Sequence, residues 1–182
     1  MMTSLVLTVI GRDRPGLVST LAEKIAAAGG NWEETRMASL AGHFAGMLRV
    51  TIPAAQADAL AAALEALESQ GLRLVIERTE AGAAAAAAGR LLRLELVGQD
   101  RPGIVRDISR LLADRGISIE ELESECVSGS FSGENLFKAQ AHLRLPPQFG
   151  TADLRRALEG LADELMVDIT LEDAGEQSGA GR

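Results

Sequence analysis

The 182-residue sequence has no tyrosine, one tryptophan and four phenylalanines. Proteins that bind single-stranded nucleic acid present aromatic faces on which bases stack, and this chain has few to offer. Basic residues are also in deficit: 18 Lys and Arg against 26 Asp and Glu leave a formal net charge of −8. That balance repels a phosphate backbone, so no direct nucleic-acid contact is expected and any genetic role must pass through a protein partner. A single cysteine, Cys126, excludes an intrachain disulfide and a multi-cysteine metal site, and it fits a reducing compartment. The two histidines, His43 and His142, stand in unrelated spacings and read as solvated surface residues; no metal and no cofactor is expected. Cys126 reads as a strand residue in packing contact, without the adjacent base that activates a thiol, so no catalytic residue is assigned. No stretch approaches the roughly 20 apolar residues of a membrane span. The run Leu5 to Ile10 is too short for a secretory signal and is followed at once by Arg12 and Asp13. The expectation is a cytoplasmic protein away from membranes.

What the sequence does have is a hexapeptide used twice. Gly11-Arg12-Asp13-Arg14-Pro15-Gly16 returns 87 positions later as Gly98-Gln99-Asp100-Arg101-Pro102-Gly103. Each copy follows an apolar run and precedes a stretch with helical spacing, so each reads as strand, turn and helix start, and the chain as two copies of one module. Pro15 suits the first helical turn, where its missing N–H costs nothing. Gly16 lets the backbone approach a neighbour closely. Asp13 is placed to cap the helix and to meet its positive end. The free N–H groups of such a start suit a small carboxylate. The competing reading is that Asp-Arg-Pro-Gly only starts a helix well.

In the first copy, Leu5, Leu7 and Val9 share one strand face, while Val6 and Ile10 make the other face unusually apolar, as in a strand covered on both sides or at a subunit contact. A helix is expected from about Pro15 to Ala28 with Leu17, Leu21 and Ile25 inward, stopped by Gly29-Gly30. Strands over about Trp32 to Leu40 and Phe44 to Ile52 flank a turn at Ala41-Gly42-His43. A helix over Ala55 to Gln70 and a strand over Leu72 to Glu77 complete the copy. Residues 80–90, rich in alanine and glycine, read as a linker. In the second copy, the strand Leu91 to Val97 precedes a helix with Ile104, Ile108 and Leu111 inward. Strands over about Ile117 to Val127 and Leu136 to Leu145 enclose a longer Gly- and Ser-rich hairpin, Ser128 to Asn135. A helix over Thr151 to Glu164 and a strand over Met166 to Leu171 follow, and residues 174–182 read as a flexible tail. The expected architecture is α+β: two ferredoxin-like βαββαβ domains in tandem, residues 1–79 and 91–173.

A strand ending in Gly-x-Asp-Arg-Pro-Gly-Leu/Ile, a helix ending in Gly, and then Gly29-Gly30-Asn31 or Gly116-Ile117-Ser118 entering the second strand resembles an ACT domain. Two such domains with nothing else attached resemble the glycine cleavage system transcriptional repressor group. The resemblance implies that an amino acid, glycine among the candidates, or a similar metabolite binds at a domain interface. It touches Asp13, Arg14, Pro15, Gly16, Leu17 and Asn31 in the first copy. In the second it touches Asp100, Arg101, Pro102, Gly103, Ile104 and Ser118, where a serine hydroxyl replaces the amide and reaches less far. It further implies a non-enzymatic, homodimeric regulator that acts on a protein partner such as a transcriptional activator and regulates glycine cleavage. Two alternatives stay open at this point: a ligand-free protein-interaction module, and a detached regulatory subunit of an amino-acid metabolic enzyme.

Overall fold

The computed structural model describes residues 1–79, 89–128 and 135–174. The chain divides into two compact units, Met1–Ala85 and Ala86–Arg182. Most of the expected linker, the tip of the Ser128 to Asn135 hairpin and the tail after Ala174 lie outside the described residues.

The first unit runs β1 (Met2–Arg12), α1 (Leu17–Ala27), β2 (Asn31–Leu40), β3 (His43–Pro53), α2 (Ala57–Glu65) and β4 (Leu72–Thr79). Its antiparallel sheet has the order β2-β3-β1-β4, which places β1 centrally. Alternation along β1 puts Leu5, Leu7 and Val9 in the core, fully buried under the helices. Leu17, Leu21 and Ile25 of α1 and Leu60 and Leu64 of α2 close over them. The second unit repeats the plan with β5 (Arg90–Gln99), α3 (Ile104–Ala113), β6 (Ser118–Ser128), β7 (Asn135–Leu145), α4 (Thr151–Leu165) and β8 (Val167–Asp173), in the order β6-β7-β5-β8. It has its own core, from Leu92, Leu94 and Leu96 to Leu154 and Leu158. Two α+β sandwiches in tandem are therefore present.

Several local expectations change. The helix after the hexapeptide starts at Leu17, two residues later than expected. Gly16 is the N-cap at φ +91°, and Pro15 lies ahead of it in the turn. Gly103 caps α3 in the same way at φ +100°. Gly16 is there for this left-handed conformation: a Cβ would have 3.8 Å of clearance to Ser19 Oγ. The close approach belongs instead to the first glycine of each hexapeptide. A Cβ on Gly11 would lie 2.8 Å from Gly71 O, and one on Gly98 2.3 Å from Val167 Cγ1, where the fourth strand of each sheet crosses.

The turn between β2 and β3 is the two-residue Ala41-Gly42, both at positive φ, and His43 already belongs to β3. The segment expected as one helix over Ala55 to Gln70 is an α-helix flanked by 3-10 turns, Ala54–Gln56 and Ala66–Gln70. In α3 the buried stripe is Ile104, Ile108 and Leu112, with Leu111 at its margin. On the outer sheet face to which they belong, Val6 is half-buried and Ile10 is 39% exposed.

Candidate functional site

Each hexapeptide turn is clamped by its own domain at three points. The Asp13 N–H donates to Gly42 O at 3.0 Å, and the Asp100 N–H to Asn135 O at 2.8 Å, so the turn is tied to the neighbouring hairpin in both copies. Ser39 Oγ donates to Asp13 Oδ2 at 2.5 Å. In the second copy Cys126 takes the place of Ser39, opposite Phe137 as Ser39 is opposite Phe44. Partial desolvation, and after it the charge of Asp100 and a hydrogen bond to its carboxylate, push the Cys126 thiol above its ordinary pKa. Cys126 is exposed rather than packed, and this environment disfavours its thiolate. Finally, Arg14 Nη2 donates to Gln70 O and Arg101 Nη2 to Glu164 O, each at 3.3 Å. Both carbonyls lie at the end of the second helical segment, where a cation meets the negative end of the helix dipole.

Asp13 therefore does not cap α1, and neither helix start has a side-chain cap. The first helical bond is from the Thr20 N–H to Gly16 O, which leaves the N–H groups of Leu17, Val18 and Ser19 ahead of it. A shallow cleft of about 370 Å³ opens at this turn, lined by Asp13, Arg14, Gly16, Val18, Ser19 and Phe44 among others. Leu17 itself is 3% exposed, so its side chain is core and only its backbone faces the turn; Ile104 is likewise 3% exposed.

The two turns differ in their next residues. Ser19 and Thr20 both donate their hydroxyls to Gly16 O. Their counterparts are Arg106 and Asp107. Arg106 folds back so that Nη2 would stand 3.0 Å from a Cβ on Gly103, and its Nε donates to Asp107 Oδ1 at 2.7 Å. That bond, with the charges of Arg106, Arg101 and Arg110, holds the Asp107 carboxyl below the usual range. The second turn thus carries a guanidinium where the first is open.

The structure places Asp13, Arg14, Pro15, Gly16 and Leu17 in one turn, and Asp100, Arg101, Pro102, Gly103 and Ile104 in the other. It does not bring Asn31 or Ser118 to them. Asn31 is opposite Thr51, and Thr51 is opposite Ser4, nine residues before Asp13 along β1. At about 3.3 Å per residue that is roughly 30 Å, the length of the sheet. Ser118, opposite Arg144 and through it Leu91, lies equally far from Asp100. An amino acid cannot touch both places within one domain.

Ser39, Ser19 and Phe44 at the first turn, and Arg106 and Asp107 at the second, escape sequence reasoning, because only the register of β2 on β3 and the helix phase bring them there. His142 is half-buried, with Nδ1 3.0 Å from Glu121 Oε2, rather than freely solvated. Among the described residues, no cluster of His, Cys, Asp and Glu could hold a metal ion. Among them, too, no helix is long and apolar enough to cross a membrane.

Duplicated βαββαβ units, each with a glycine-capped helix start, define a tandem ferredoxin-like architecture, and comparison with known proteins agrees. ACT-domain family models match residues 3–77 and 92–142, and the chain belongs to the ACT-domain family. It is 26% identical over 169 residues to the glycine cleavage system transcriptional repressor of Escherichia coli, covering 88% of this chain and 85% of that protein. A crystal structure of an unknown protein from Galdieria sulphuraria is similar at 30% identity and a TM-score of 0.85, over 96% of this chain and 99% of that one. A crystal structure of a candidate glycine cleavage system transcriptional repressor shares the fold at 20% identity, with a TM-score of 0.69 over 94% and 97% of the two chains.

Proposed function

We propose that this chain is a non-enzymatic, cytoplasmic regulator that binds a free amino acid at the first hexapeptide turn and, as a homodimer, modulates a protein partner. The observation that carries the reading is the clamped turn after β1. Asp13 and Arg14 are fixed by Ser39, Gly42 and Gln70, while the amides of Leu17, Val18 and Ser19 border an open cleft. A ligand carboxylate takes those amides, and its ammonium group approaches the Asp13 carboxylate. In the second copy, Arg106 beside Gly103 offers a guanidinium to a carboxylate, so Asp100, Arg101, Pro102, Gly103 and Ile104 form a related site of different preference. Asn31 and Ser118 contribute only where a second chain brings them to a turn. The likeness to the Escherichia coli repressor supports a transcriptional activator as partner and glycine cleavage as the regulated process, with glycine as the first ligand to test.

Isothermal titration of the full chain with glycine, serine, alanine and threonine tests the reading. Saturable binding of one of them is expected. Asp13→Asn retains a bond to Ser39 but removes the charge that faces the ammonium, and weakens binding at least about tenfold, the ratio for a lost interaction of about 1.4 kcal/mol. Absence of heat with every amino acid, for a folded protein, overturns the ligand-binding reading in favour of a ligand-free interaction module.

A further inference from the structure

The helices cover one face of each sheet, and among the described residues of each unit no helix packs on the opposite face, where Met47 and Val75 of the first sheet and Val97 of the second are exposed. Where the strand register places equivalent rows, those outer faces have diverged in opposite senses. In the first sheet, the rows through Thr8, Ile10 and Arg12 contain no carboxylate, although the chain as a whole is strongly acidic. They carry Arg36 on β2, which pairs with Glu34 of the adjoining row at 2.8 Å, Arg73 on β4 and Arg12 on β1, around Met47, Val75 and Ile10, which are 54%, 59% and 39% exposed. Arg12 and Arg73 enter no ion pair among the described residues.

The second sheet has the opposite charge in the same rows. Arg36 corresponds to Glu123, Arg73 to Asp168, Thr8 to Glu95 and Ala38 to Glu125, and the cation gained in return is Lys138. Glu95, Glu123, Glu125 and Lys138 border a depression of about 380 Å³ that also includes Val97, the counterpart of Ile10. So both faces keep an apolar residue at the centre, and the charges around it are inverted.

We infer that the outer face of the first sheet in one copy of this chain stacks on the outer face of the second sheet in another copy. The inference rests on the homodimer reading above and supplies its surface. Two sheets packed face to face stand about 10 Å apart, which brings their outward side chains into contact. Stacking first face on first face sets arginine against arginine, and second on second sets carboxylate against carboxylate; only the mixed pairing is complementary. In it, Met47 enters the depression, Ile10 meets Val97, and the aliphatic stems of the arginines and glutamates cover the apolar centre.

The test is sedimentation equilibrium of the full chain with charge-swapped variants, each checked by circular dichroism for native secondary structure. Arg36→Glu with Arg73→Glu raises the dissociation constant at least tenfold. Glu123→Lys with Asp168→Lys does so as well, even though it brings the net charge closer to zero. The fourfold variant, which has the wild-type net charge, returns to within threefold of the wild type. Raising salt to 1 M, where the Debye length falls to about 3 Å, weakens the wild-type association. A wild-type chain that is monomeric at all concentrations overturns both this inference and the homodimer reading. A dimer indifferent to either pair of swaps, strengthened by the lysine pair, or not restored in the fourfold variant, overturns the stacking alone.

Discussion

The glycine at each end of the hexapeptide is fixed by a different physical requirement, and substitutions separate the two. Gly16 is held at φ +91° with room for a side chain, so its alanine variant loses only conformational energy, about 1–2 kcal/mol. Gly16→Asn recovers much of that, because asparagine tolerates the left-handed region. Gly11 has no room: a Cβ meets Gly71 O and Leu72 Cδ2, both at 2.8 Å, so Gly11→Ala and Gly11→Asn each cost about 1–3 kcal/mol or more. Urea denaturation of the four variants measures both patterns. Cys126 gives a second residue-scale expectation. Partial desolvation and Asp100 raise its pKa, so its alkylation rate reaches half-maximum at a pH above the ordinary thiol value of about 8.5. Asp100→Asn moves that midpoint down and speeds alkylation by iodoacetamide at pH 8. The sequence shows that these glycines matter through their repetition. It does not show why, because φ at Gly16 and the approach of β4 to Gly11 depend on contacts far along the chain.

At the scale of elements, the two copies solve the same problems with different residues. The second helical segment of the first copy ends in Gly71 at φ +84°, the usual left-handed stop. Its counterpart after α4 is Met166, at φ +52° and 72% exposed. Met166→Gly therefore relieves a strained backbone with little loss of packing and stabilises the protein by about 1 kcal/mol, read as a higher urea midpoint at unchanged slope. The order of elements was legible because β1 and β5 alternate cleanly and the helices carry leucines at three- and four-residue spacing. Finer points were not. Leu111 and Leu112 both fall within a broad apolar stripe, and only packing against the sheet selects Leu112. The break of the segment around α2 into α and 3-10 parts has no signal in an alanine-rich run. Likewise, the roughly 30 Å between Asp13 and Asn31 follows from register, which a motif read along the sequence does not contain.

At the scale of the molecule, each unit has its own core, and no residue belongs to both clusters. Differential scanning calorimetry should then resolve two contributions: Gly16→Ala lowers one of them, Met166→Gly raises the other, and the combined variant shows both shifts unaltered. A single transition that moves as a whole with either substitution would contradict this. The proposed ligand binding at the first turn is expected on the same thermogram, as a rise confined to the transition that Gly16→Ala lowers. The bonds from Asp13 to Gly42 and Ser39 give that event a direction. A turn already pinned on arrival cannot soak up a displacement by flexing, so an ammonium group that draws the Asp13 carboxylate away pulls on the hairpin tip, where Leu40 stands 80% exposed. Occupancy of a shallow cleft would in this way be legible to another protein at the rim of the sheet, with no need for the domain to open.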